Sequence, residues 1–176
     1  MNNLNEEKPT WDDIVKGIDF LFEEISMRII GEVYENPDII IGVGRGGALP
    51  AMMLSYKFNT PMQVVNPNQD YLTNDMASYY PNGLPKLKGV INSGTSTGIS
   101  FPSILLVEDI VQTGKTLRTV YDTYAFEHNV VTCSIYTLEG AGYTPDVFWK
   151  SFSFSDQNTT IHLPTNKSLV WKNITL

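Results

Sequence analysis

Ile104-Leu105-Leu106-Val107-Glu108-Asp109-Ile110-Val111-Gln112-Thr113-Gly114-Lys115-Thr116 is the stretch whose reading decides the fold. Its first four residues are apolar and rich in β-formers, and they read as a buried strand. Two adjacent acids, Glu108 and Asp109, stand where that strand is expected to end, and a short turn follows. Thr113-Gly114-Lys115-Thr116 then opens a helix. In open α/β sheets, ligands bind just beyond the carboxyl ends of the strands. A helix N-terminus at that place offers unpaired N–H groups and the positive end of a dipole, which suits a phosphate. The Thr113 and Thr116 hydroxyls add hydrogen bonds, and Gly114 lets the backbone come close. Glu108 and Asp109 would repel a phosphate, so they suit sugar hydroxyls or a metal-bound polyol instead. Gly114-Lys115-Thr116 also raises a P-loop, but that pattern needs a glycine where this chain has Asp109, and it is rejected.

Phosphate beside polyol describes a sugar phosphate. The stretch resembles the signature of type I phosphoribosyltransferases, which use PRPP (5-phosphoribosyl-1-diphosphate). That signature is four apolar residues, two acids, three variable positions, then Thr/Ser-Gly-x-Thr/Ser, and every fixed position is met. The resemblance implies an α/β fold in a single domain over 1–176. Its core would be a central, mostly parallel sheet flanked by helices, with a long flexible lid loop over 67–101 and a small C-terminal hood over 150–176.

Composition agrees with one cytosolic domain. The chain has 176 residues, 42% of them hydrophobic, enough for a single sizeable core. Net charge is −7, with no basic block, which speaks against nucleic acid and anionic membrane as partners. An acidic protein with an anionic substrate must attract it locally, through helix N-termini, a few basic side chains and a divalent cation. The single cysteine, Cys133, lies in an apolar run and is expected to pack as a small buried residue. The first residues carry no cationic and apolar leader pattern, and no apolar run reaches membrane-spanning length. The expected setting is the cytoplasm.

Outward from the signature, residues 1–9 read as a disordered lead-in. Trp11, Ile14, Val15, Ile18, Leu21, Phe22, Ile25 and Ile29 recur at helical spacing, predicting an amphipathic helix from a Thr10 N-cap to about Tyr34. Ile39-Ile40-Ile41 reads as a buried strand. Gly42-Val43-Gly44-Arg45-Gly46-Gly47 follows as a loop, with a helix from Ala48 to about Phe58. Formally the loop is a dinucleotide fingerprint. The next strand, Met62 to Val65, lacks the acid such a site needs at its end, which counts against a nicotinamide oxidoreductase. The other reading is an anion loop, in which backbone N–H groups and the Arg45 guanidinium converge on one oxyanion. After the signature, a helix is expected to run to His128-Asn129, with His128 capping it. Val130 to Thr137 is a strand, Leu138 to Pro145 a loop, and Asp146 to Trp149 a short strand. Two histidines and one cysteine give no transition-metal spacing.

The resemblance carries roles onto these residues. Gln112, Thr113, Gly114, Lys115 and Thr116 would hold the 5′-phosphate, and Glu108 and Asp109 the ribose hydroxyls. Gly44, Arg45 and Gly46 would grip pyrophosphate, often through a strained cis peptide, here Arg45-Gly46. Mg²⁺ would bridge substrate oxygens, held by Glu108 and Asp109 mainly through substrate and water. Ser78 and Tyr79 resemble the lid pair of 6-oxopurine members. Val111, Leu138 and Trp171 would line the base pocket, with Trp149 in reserve for stacking. The expected partners are PRPP and a nucleobase, within a homo-oligomer (a dimer or tetramer). Arg45, Glu108, Asp109 and Gln112 would carry the catalysis. Two positions depart from the 6-oxopurine pattern. Gln112 replaces an Asp that takes or shares the purine N7 proton, and Leu138 replaces a Lys that holds O6. A regulator that binds PRPP or a nucleotide without turnover is the competing reading.

Overall fold

The computed structural model describes residues 9–65, 102–126 and 128–153. Helix α1 spans Trp11–Ile30, β1 Ile39–Val43, α2 Gly44–Phe58 and β2 Met62–Val65. Strand β3 spans Ser103–Val111, α3 Lys115–Tyr124, β4 Asn129–Leu138 and β5 Val147–Phe152. Among the described residues the strands form one sheet in the order β2-β1-β3-β4-β5. Every pairing is parallel. The carboxyl ends of β1 and β3 therefore lie side by side, with Gly42 level with Val107.

Parallel strands carry helices on both faces, so their side chains are buried on both sides. β1 reads Ile-Ile-Ile-Gly-Val and is buried at every position. One core cluster joins Ile14, Ile18, Leu21 and Ile25 of α1 and Leu54 of α2 to Leu105, Val107, Ile135 and Leu138. The other joins Leu117, Val120 and Tyr124 of α3 to Ile39, Ile41, Ile104, Leu106 and Val111. Cys133 is fully buried, and burial pushes its thiol pKa well up, as expected of an inert packing residue.

Several boundaries differ from the sequence expectation. α1 ends at Ile30 rather than near Tyr34, because the chain turns there: the Val33 and Tyr34 N–H groups both return to the Arg28 carbonyl. α2 begins at Gly44, not Ala48, so the glycine-rich stretch is the first turn of a helix and not a loop. The Arg45-Gly46 peptide is trans, like every described peptide bond, as a regular helix requires. β3 does not end at the acids. It continues through Ile110 and Val111, which pair with Tyr136 and Thr137 of β4. α3 stops at Tyr124 with Ala125 as its C-cap, so His128 is not its cap and packs its ring 6.2 Å from that of Tyr124. β5 is longer than expected, since Lys150, Ser151 and Phe152 stay paired with β4. The lead-in 1–8, the lid region 67–101 with Ser78 and Tyr79, and Trp171 with the rest of the hood beyond Ser153 lie outside the described residues.

Candidate active site

The carboxyl ends of β1, β3 and β4 meet at one place. β1 feeds directly into α2, whose first turn is Gly44-Arg45-Gly46-Gly47. Gly46 rests on the Asp109 carboxylate so closely that any side chain at 46 would overlap it. A side chain at Gly47 would overlap the Val107 carbonyl oxygen. The glycines therefore let the amino end of α2 lie flat against β3. Two motifs more than sixty residues apart in sequence become one surface.

Asp109 also marks a change of phase in its strand. Leu105 and Val107 face α1 and α2, and so does the Asp109 carboxylate against Gly46. Ile110 packs on that same side, whereas Val111 joins the α3 side. Strict alternation is lost at Asp109, whose Oδ1 accepts the Ile110 N–H at 2.9 Å. A carboxylate bonded to its own strand is held in one orientation.

Both acids are half-buried, and neither has an ion-pair partner among the described residues. Burial, then the neighbouring Asp109, pushes the Glu108 pKa up to about 8. Burial raises that of Asp109 too, opposed by N–H hydrogen bonds from Ile110 and from its own backbone. At neutral pH the ligand-free pair therefore retains a proton that free carboxylic acids would have lost. Such a pair is suited to meeting a hydroxyl or a cation, either of which replaces the lost solvation.

The turn after β3 presents the amino end of a second helix. Gly114 is the N-cap of α3 with φ +76°, a conformation that favours glycine. It supplies no side-chain cap, and the first turn of α3 carries no acid. Thr113 Oγ1 accepts the Lys115 N–H at 3.3 Å. Gln112, Thr113 and Lys115 are exposed, Thr116 is half-buried, and Arg45 is exposed on the facing helix. Arg45 and Lys115 have no ion-pair partner among the described residues, so both cations are available to an incoming anion.

The expected base pocket is less complete. Val111 and Leu138 are both buried, but in opposite core clusters, so they do not converge. Trp149 packs on α1 at Gly17, where a Cβ would come within 2.8 Å of its ring, and lies 5.7 Å from the Tyr136 ring. It is engaged in the core and is not free to stack on a base. The sequence places a loop after β4 but gives Gly142 and Tyr143 in it no part in the site. The Gly142 N–H donates to the Thr113 carbonyl at 2.9 Å, and Tyr143 packs on Gly114. The cluster Gly140, Gly142 and Pro145 just past a strand was the available signal for a tight, ligand-side loop.

Comparison with known proteins gives the site its family. The phosphoribosyl transferase domain matches residues 10–166. This chain belongs to the phosphoribosyltransferase family. A hypoxanthine/guanine phosphoribosyltransferase of Methanohalobium evestigatum is 31% identical over 100 residues. That match covers 57% of this chain, and the chain spans half the length of that curated relative. Among solved structures, a purine phosphoribosyltransferase from Pyrococcus horikoshii shares the fold at a TM-score of 0.63 and 21% identity, covering 91% of this chain and 93% of its own. The hypoxanthine phosphoribosyltransferase of Trypanosoma cruzi in complex with IMP shares it at a TM-score of 0.53 and 19% identity, covering 81% and 77%. The phosphoribosyltransferase fold thus accounts for the sheet order and for the place where the two motifs meet. No helix among the described residues is long and apolar enough to cross a membrane.

Proposed function

We propose that this protein transfers the 5-phosphoribosyl group of PRPP to a 6-oxopurine base in the cytoplasm, forming a nucleoside 5′-monophosphate and releasing pyrophosphate. The observation that carries this reading is the contact of Gly46 with the Asp109 carboxylate. It sets two helix amino ends, each without an acid in its first turn, on either side of a carboxylate pair. One ligand with an anion at each end and hydroxyls between them matches that order of groups. The family and the hypoxanthine/guanine relative support the reaction class and the purine.

Within this reading, Thr113, Gly114, Lys115 and Thr116 hold the 5′-phosphate, and Glu108 and Asp109 accept the ribose hydroxyls. Arg45 and the first N–H groups of α2 meet negative charge growing on the leaving pyrophosphate, the larger part of catalysis where a group departs as an anion. Displacement at C1 then needs positioning and exclusion of water more than side-chain acid–base work. Glu108 and Asp109 fit Mg²⁺ as hard oxygen donors without a competing cation among the described residues, and the bound ion would supply positive charge to the diphosphate. Gln112 is neutral and cannot serve as a general base, so the purine proton leaves by another route. Leu138 points into the core and cannot donate to a purine O6, so recognition of the base falls to other groups.

The test is turnover with PRPP and Mg²⁺ against hypoxanthine, guanine, xanthine, adenine, uracil, orotate and nicotinate, reading pyrophosphate and nucleotide mass. A nucleotide from one of the three 6-oxopurines is the expected product. Turnover of another base alone would replace the substrate class. PRPP binding without any product would favour a regulator.

A further inference from the structure

We infer that the loop joining β4 to β5, residues 139–146, positions the phosphate turn through Gly142 and Tyr143. The inference rests on the reading of Thr113–Thr116 as the receiver of the 5′-phosphate. It starts from one hydrogen bond, from the Gly142 N–H to the Thr113 carbonyl at 2.9 Å. A trans peptide is planar, so its C=O and its N–H point opposite ways. Holding the Thr113 carbonyl on the loop therefore turns the Gly114 N–H away from the loop. That N–H is the one the helix N-terminus contributes first to an anion.

A second contact fixes the same residue. A Cβ on Gly114 would lie 2.5 Å from the Tyr143 carbonyl oxygen and 2.6 Å from its nitrogen. The loop backbone fills the space that a side chain would take, and it presses on the residue whose φ of +76° sets the turn. The Tyr143 ring continues the contact along α3. It lies 5.5 Å from the Tyr121 ring, and the Arg118 guanidinium covers both rings, at 5.5 Å from Tyr143 and 5.7 Å from Tyr121. Arg118 is itself fixed by Asp122 at 2.8 Å.

The far end of the loop is anchored as firmly. The Asp146 carboxylate accepts the Thr132 N–H at 2.8 Å and the Thr132 hydroxyl at 2.7 Å. The Asp146 N–H donates back to that hydroxyl oxygen at 3.0 Å. Arg28 of α1 adds a bond to the Asp146 carbonyl at 3.2 Å. The loop is thus a strut between β4, α1 and α3. Its phosphate-side end meets the turn, and among the described residues no hydrogen bond joins it to the amino end of α2. Loosening it should weaken the 5′-phosphate site and spare the pyrophosphate site.

The experiment compares four variants with the wild type by calorimetry, using PRPP, ribose 5-phosphate and inorganic pyrophosphate. Gly142→Pro removes the N–H, while Gly142→Ala keeps it, and the space there allows a methyl group at ordinary contact with the Thr113 oxygen. Tyr143→Ala strips the ring contacts, and Tyr143→Phe keeps them. Gly142→Pro and Tyr143→Ala should raise the Kd for PRPP and ribose 5-phosphate about tenfold or more, the scale of one hydrogen bond to a charged group. Pyrophosphate affinity should stay at the wild-type value, and Gly142→Ala and Tyr143→Phe should behave as wild type. Should Gly142→Pro fail to fold, the Tyr143 pair decides alone. Unchanged ribose 5-phosphate affinity in Tyr143→Ala, or an equal loss for pyrophosphate, overturns the proposal. A wild-type protein that binds neither PRPP nor ribose 5-phosphate removes the reading of Thr113–Thr116, and the strut with it.

Discussion

At the amino end of α1, Thr10 and Asp13 close a reciprocal pair of bonds: each backbone N–H is taken by the other's side chain. Asp12 and Asp13 add negative charge to that first turn. At the amino ends of α2 and α3 the caps are Val43 and Gly114, with no cap from their own side chains and no acid in the first turn. The same chain therefore completes one helix end and leaves two others largely open, that of α3 having only the 3.3 Å bond from the Lys115 N–H to Thr113 Oγ1. A helix end without partners is unfavourable unless something else satisfies it. The closed end has only a helix to stabilise. The open ends stand at the carboxyl edge of the sheet, beside Arg45 and Lys115, where an anion can do the capping. On the proposed reading, a difference in capping chemistry separates structural from functional helix ends.

Four substitutions test this contrast, those at the site expected to act more strongly than the one at the closed end. Arg45→Ala should reduce kcat roughly 10²- to 10³-fold, the scale for removing a donor to developing charge, with the melting temperature unchanged. A lower melting temperature with normal kcat would make Arg45 structural. Lys115→Glu gives α3 the acidic first turn that α1 already has. PRPP affinity should fall about tenfold to a hundredfold, while the helix dipole interaction contributes up to about 1 kcal/mol of added stability. Opposite signs from one substitution, read by calorimetry and by denaturant unfolding, are what an open functional end predicts; weaker folding together with unchanged PRPP affinity would sink it.

Glu108 supplies a pH test between the two helix ends. Its folded pKa, about 8, lies above the ordinary value of 4.5, so between those limits the folded protein holds a proton the unfolded chain has released. Stability of the ligand-free protein should therefore fall as pH rises from about 4.5 to about 8, by on the order of a few kcal/mol, and level off above. Glu108→Gln should flatten that slope, as measured by urea unfolding across the window. An unchanged slope would show that other groups set it. The smallest effect is expected at the closed end. Thr10→Ala should lower stability by about 1 kcal/mol and leave PRPP affinity untouched. Any change in affinity would mean that α1 is coupled to the site.

Much of this contrast could be read in the sequence, because it is local. The Thr10-x-x-Asp13 cap, the apolar run before Glu108-Asp109 and the Thr113-Gly114 turn each act within a few residues, where spacing determines geometry. Boundaries were harder. Gly44 to Gly47 read as a loop because glycine disfavours helices in isolation, yet packing against Val107 and Asp109 makes them the start of one. Likewise Ile110 and Val111 extend β3 because β4 offers them partners, a fact absent from their own stretch.

The sequence alone determined the strand–turn–helix units and the parallel α/β class, and it carries the pattern on which the proposed phosphate and sugar chemistry of residues 108–116 rests, since each follows from periodicity or short spacing. Only the tertiary structure decided which units share a site. The sheet order sets β1 beside β3, so that Gly46 meets Asp109. Core packing turned Leu138 and Trp149 inward, away from the roles their positions implied. The Gly142 and Tyr143 contacts with the turn of Thr113 and Gly114 arise from a crossover that returns the chain to residues twenty-nine positions earlier. No local pattern encodes such a meeting, because it depends on the burial of whole elements against one another.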